Sequence, residues 1–223
     1  MENYSGAQGR FFIDWEEWTH ILTSILAICL TLTFQNGGIN VEAGPFVFFM
    51  IIFAITVGSG FLLHELAHKY VAVRFGCRAR YEVWLAGLVL MLGLAIIPQI
   101  VWGIRLPIFL APGAVMIYSA RGINPRANGL ISVAGPVMNL LLAGVFFVLA
   151  TIFVGGPILD MADSPNAALN LVLVMGVQVN LVLAMFNLLP IFPLDGFKVM
   201  LWDWRIWLML FAVAFFGTSL MGV

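Results

Sequence analysis

Five consecutive residues, His64-Glu65-Leu66-Ala67-His68, carry the most specific chemistry in the chain. Residues four apart share one face of an α-helix, so both imidazoles can reach a single cation. Glu65 stands beside the first histidine, where its carboxylate can take a proton from water activated at that cation without displacing a ligand. Random placement of these residue types would give the pattern about once in a thousand such chains.

A catalytic zinc takes three protein ligands and keeps one position open, so two histidines leave one ligand to be found. The candidates are His20 and the carboxylates. His20, Glu82 and Asp203 stand at the ends of apolar stretches, where a polar residue is ordinary. Asp195 is different. It lies in Asn187-Leu-Leu-Pro190-Ile-Phe-Pro193-Leu-Asp195-Gly196, where two prolines and a glycine interrupt a helix. Within a membrane such breaks are tolerated where they line a site.

The elements that position these residues belong in lipid. Of 223 residues, 62% are hydrophobic and 9% charged, with mean hydropathy +1.05; a soluble domain carries about 25% charge. The net charge of −1 and the lack of a basic aromatic patch argue against nucleic acid. Cys29 and Cys77 can make neither a disulfide framework nor a thiolate zinc site. The acidic start, with Glu2, Asp14, Glu16 and Glu17 against Arg10, does not read as a signal peptide.

Spans are expected at about Trp18–Phe34, Pro45–Val73, Ala127–Val154, Ala167–Leu189 and Arg205–Met221. Between Tyr81 and Ser119 an apolar run, Val83–Ile97, is followed by Pro98, Gly103, Arg105, Pro107, Pro112 and Gly113. That stretch reads either as one helix plus a hairpin or as two short spans. The expectation is an all-α polytopic membrane protein of about six transmembrane helices. It forms one domain over residues 1–223, with a catalytic core at roughly 45–200. Lys69, Arg74, Arg78, Arg80, Arg121, Arg126, Lys198 and Arg205 fall in loops of one side, whereas Glu42, Asp160 and Asp163 fall in the others. The positive-inside rule puts the basic loops, and with them His64, His68 and Asp195, at the cytoplasmic face. This requires residues 83–120 to cross an even number of times.

The pair HELAH and NLLPIFPLDG resembles the site-2 protease family of intramembrane metalloproteases. Ala111-Pro-Gly-Ala-Val-Met116 is similar to that family's membrane-dipping β-hairpin. Ala134-Gly-Pro-Val-Met-Asn139 is similar to the start of its middle core helix. The resemblance covers about Val57 to Phe197 and implies one zinc ion per chain, held by His64, His68 and Asp195. Glu65 would be the general base and Asn187 would hold the oxyanion or the substrate. Asn139 is a weaker candidate for that role, set against packing through a small-residue face with Gly135; Asn180 reads as packing. The implied partners are a transmembrane substrate protein and the bilayer, and the implied location is the cell membrane, multi-pass. The chain departs from the pattern in lacking an inserted PDZ-like domain and in its extra apolar stretch, about Trp84–Trp102. A transporter or channel with a His/Asp ion site would be expected to show inverted repeats, and none is found. An inactive metal-binding relative would be expected to have lost Glu65 or a ligand.

Overall fold

Asp14 starts the first helix. Its carboxylate accepts from the Glu17 amide at 2.7 Å, and Glu16 and Glu17 lie in the first turn, where the helix dipole favours acids. The helix, α1, runs Trp15–Gly37 and stops at Gly38, whose φ of 80° only glycine adopts readily. The computed structural model describes residues 11–106, 112–120, 122–154 and 167–221. Of the residues weighed above, Glu2, Arg10, Pro107, Ala111, Arg121, Asp160 and Asp163 lie outside the described residues.

Next comes a continuous 32-residue helical span, Ala43–Arg74. It consists of α2 (Ala43–Phe53), one π-helical turn (Ala54–Gly58) and α3 (Ser59–Arg74). Strand β1 (Arg78–Val83) follows, then α4 (Leu85–Trp102), β2 (Gly113–Tyr118), α5 (Pro125–Val154), α6 (Ala167–Asn187), α7 (Asp195–Trp202) and α8 (Trp204–Leu220). Asn124 caps α5 by accepting from the Ala127 amide at 2.7 Å, with Pro125 at the first helical position. Asp203, expected to be an interfacial charge, caps α8 through the Arg205 and Ile206 amides.

Five helices are long and apolar enough to cross a membrane, and α8 is a shorter apolar helix of 17 residues. Their outward faces are suited to lipid. On α5, Ile131, Asn139, Ala143 and Ala150 are buried, whereas Leu141, Val145, Val148 and Ile152 are more than half exposed. An apolar stripe of that length would be a liability in water. The chain is an integral membrane protein.

The ambiguous stretch resolves as one helix plus a strand. Proline 98 does not end α4, which continues to Trp102 and stops at Gly103 in the left-handed region. Among the described residues, the partner of β2 is a strand distant in sequence. Strand β2 pairs antiparallel with β1, which precedes α4. A pairing across an intervening helix leaves no turn signal between the strands, so local reading finds β2 and misses its partner.

Packing divides the chain into two compact units. Among the described residues, one takes Phe11, Leu63–Ala79 and those between 117 and 221; the other takes Phe12–Leu62 and those between 80 and 116. In the second unit, the Trp84 amide donates to the Pro112 carbonyl at 2.8 Å, and the Tyr81 amide donates to the buried Glu17 carboxylate at 2.9 Å. The first unit holds α5 against α6 and α7. Here Ala72, Cys77 and Ile131 form one apolar cluster, with Cys77 as a free buried thiol.

Between α6 and α7 the chain reverses within seven residues, Leu188–Leu194. The Trp207 indole donates to the Leu188 carbonyl at 2.8 Å and ties the reversal to α8. A Cβ on Gly196 would stand 2.1 Å from that same carbonyl, so only glycine lets the start of α7 close on the end of α6. Gly196→Ala is therefore expected to destabilise the protein by about 1–3 kcal/mol, as overpacking does. Thermal unfolding in detergent should show a lowered midpoint; an unchanged midpoint would mean that the reversal has slack.

Candidate metal centre

The metal centre can be built from α3 outward. On α3 the i, i+4 spacing brings His64 and His68 to one face, with their rings edge to face and centroids 4.6 Å apart. Their Nε2 atoms lie 3.0 Å from one another. Asp195, the first residue of α7, brings Oδ2 to 3.0 Å from His68 Nε2 and 3.6 Å from His64 Nε2. Four ligands around zinc at about 2.0–2.1 Å would be separated by about 3.3 Å if tetrahedral. The observed triangle brackets that edge. Among the described residues this is the one group of three His, Cys, Asp or Glu side chains close enough to share an ion.

The hydrogen bonds behind the rings decide what the Nε2 atoms present. His68 Nδ1 lies 2.7 Å from the Ile131 carbonyl oxygen, which can only accept, so Nδ1 carries the proton. His64 Nδ1 lies 2.6 Å from Asn139 Oδ1 and donates to it. Both neutral rings therefore turn Nε2 lone pairs toward each other and toward a carboxylate oxygen. Such a set repels itself unless a cation lies between, and neutral imidazole and ionised carboxylate are the forms that bind metal. Lys198 Nζ lies 3.4 Å from Asp195 Oδ1, and its charge favours the ionised carboxylate. The placement of Asp195 at the N-terminus of α7 also favours the anion.

Gly135 faces the two Nε2 atoms. A Cβ there would sit 2.3 Å from His68 Nε2 and 2.5 Å from His64 Nε2. The following Pro136 has no N–H to donate to the Ser132 carbonyl, next to Ile131, whose carbonyl accepts from His68.

His64, Glu65 and His68 are 5%, 8% and 7% exposed, so the pair and the adjacent carboxylate are shielded from bulk solvent. Asn187 lies at the end of α6, where its Nδ2 donates to the Leu183 carbonyl at 2.9 Å. His20 lies on α1, Glu82 on β1, and Asp203 caps α8. Asn139, weighed above as an oxyanion or substrate partner against helix packing, is fully buried and directly bonded to His64. Asn180, read as packing, is bonded to Asn139. The available signal was two amides deep within apolar spans; their partners lie on other helices, and spacing along the chain cannot reveal them.

Fold and site together define an integral membrane metallopeptidase. The chain belongs to peptidase family M50, whose model matches residues 52–206. It is similar to the protein named "Putative zinc metalloprotease MJ0611" of Methanocaldococcus jannaschii, 38% identical over 197 residues, covering 88% of this chain and 90% of that one. It is also similar to "Putative zinc metalloprotease YwhC" of Bacillus subtilis, 34% identical over 159 residues, 65% of each chain. No solved structure matches it.

Gly135→Ala should lower zinc occupancy of the purified protein at least tenfold, since its methyl would enter the space facing both Nε2 atoms. Metal analysis after dialysis against limiting zinc measures this. Full occupancy in a folded Gly135→Ala protein would mean that the ion sits elsewhere.

Proposed function

We propose that the protein is a zinc-dependent intramembrane protease that cuts peptide bonds within or near transmembrane segments of membrane-bound substrates. The observation that carries this reading is the position of the donor pair. His64 and His68 lie inside the Ala43–Arg74 span, buried, with a carboxylate brought to them from a helix break. Ionisable groups placed so in a membrane are functional by default.

In this reading His64, His68 and Asp195 hold one zinc ion. When bound, zinc would lower the pKa of a water molecule towards neutrality and polarise a carbonyl. The Glu65 carboxylate takes the proton of the attacking water and returns it to the leaving amide nitrogen. Asn187, turning from Leu183, donates its Nδ2 to the developing oxyanion or to the substrate backbone. The shielding of Glu65 strengthens these interactions by excluding competing water.

A substrate helix has its backbone groups already bonded internally, so it must unwind before it is cut. Strand β2 has one partner strand among the described residues, and its other edge can take up the unwound peptide by strand addition. The cytoplasmic orientation follows from charge, and the Trp84–Pro112 bond supports it. Residues bonded to one another stand at one depth, so the chain between them leaves and returns. The 18-residue α4 covers about 27 Å.

Two outcomes test this. Glu65→Gln should keep its zinc and lose cleavage of a transmembrane peptide by about 10²–10⁴-fold; cutting at near wild-type rate would remove Glu65 from the mechanism. In a chain freed of Cys29 and Cys77, single cysteines at positions 78 and 124 should both react with a membrane-impermeant reagent from the cytoplasmic side. Reaction from opposite faces would defeat the orientation.

A further inference from the structure

A chain of hydrogen bonds leads away from His64 and ends on a backbone carbonyl two helices away. His64 Nδ1 meets Asn139 Oδ1 at 2.6 Å, Asn139 Nδ2 donates to Asn180 Oδ1 at 3.0 Å, and Asn180 Nδ2 donates to the Gly176 carbonyl at 2.8 Å. Both amides are fully buried. The direction of the chain is set at its far end. The Gly176 oxygen can only accept, so Asn180 must turn its NH₂ to it and its oxygen to Asn139. Asn139 must then turn its NH₂ to Asn180 and its oxygen to His64. His64 is left with one way to bond, by carrying its proton on Nδ1, and its Nε2 lone pair faces Asp195 and His68. A reversed Asn139 would present NH₂ to His64, and the ring would answer with its other tautomer.

We propose that Asn180 is a positioning residue for the metal centre: through Asn139 it fixes the tautomer of His64 and so presents Nε2 to the ion. This rests on the reading of His64, His68 and Asp195 as the metal ligands. The two histidines are then held in the same way from opposite ends. His68 is fixed directly by the Ile131 carbonyl and His64 by the Gly176 carbonyl through two amides. Outer partners of this kind typically change metal affinity by about 10–100-fold when removed.

The experiment measures zinc affinity of the full-length chain in detergent by competition with a chelator, with unfolding of the metal-free protein as a check on the fold. Asn180→Leu removes the fixed acceptor and should weaken zinc binding by about 10–100-fold. Asn180→Asp should restore it to within a few-fold: a buried aspartic acid, protonated, offers one O–H to Gly176 and one oxygen to Asn139, the same pattern as the amide. Cobalt(II) loaded in place of zinc should show a visible band shifted in Asn180→Leu and restored in Asn180→Asp. In the Asn139→Asp background both atoms facing outward from residue 139 are oxygens, so His64 finds an acceptor whichever way the group turns. There Asn180→Leu should change zinc affinity less than about twofold, because no orientation remains to be fixed. If the leucine variant does not accumulate, Asn180→Ala removes the same amide without added bulk. Wild-type-tight zinc binding in a folded Asn180→Leu or Asn180→Ala protein, or an undiminished effect in the Asn139→Asp background, would overturn the relay alone. A wild-type chain that binds no zinc would overturn the reading of the site itself.

Discussion

Two imidazole nitrogens and a carboxylate oxygen are held within 3.6 Å of one another, out of bulk water, with their lone pairs converging. That arrangement is unfavourable without a cation, and it persists because each donor is fixed by something it cannot displace. The Ile131 carbonyl of α5 accepts the ring proton of His68, and the Asn139 side-chain oxygen, also on α5, accepts that of His64. Asp195 is held by a reversal that Gly196 makes possible and Trp207 secures. Gly135 faces both Nε2 atoms, where any side chain would intrude. Much of what is unusual in α5, α6 and α7 follows from keeping those three atoms together.

The membrane raises the cost of every other polar group and so limits what can surround the site. In lipid an unsatisfied amide costs more than it does in water, where solvent can repair the loss. Asn139 and Asn180 are tolerated because each bonds to the next and the last to a carbonyl. The same rule governs the second unit, where the buried Glu17 accepts from the Tyr81 amide and the Tyr81 hydroxyl bonds to Ser24 at 2.8 Å. Lipid-facing positions, such as Leu141 and Val148 on α5, carry no such obligation and are simply apolar.

How much was legible in the sequence depended on how far apart the interacting residues lie along the chain. The His64–His68 pair is local, set by helical periodicity alone. The prolines and glycine around Asp195 announced a break within an apolar run, which marked it out from Glu82 and Asp203. Helix positions followed from apolar length, and five of the expected spans lie where the helices form, with ends shifted by a few residues. The short helix α7, the π-helical turn before α3 and the pairing of β1 with β2 were not legible, because each is settled by contacts from elsewhere. Asn139 and Asn180 were visible as costly amides but not as partners. Gly135 passed as a small packing residue, since nothing in the sequence says that two imidazoles face it.

The central claim is that a zinc ion sits among His64, His68 and Asp195. X-ray absorption at the zinc edge of the purified, zinc-loaded protein tests it most directly. Two imidazole nitrogens and one carboxylate oxygen at about 2.0–2.2 Å, with a remaining light-atom position, are the predicted shell. In Asp195→Ala the carboxylate contribution should vanish while the imidazole signal weakens with occupancy. A shell containing sulfur at about 2.3 Å, or one holding a single imidazole, would contradict the assignment.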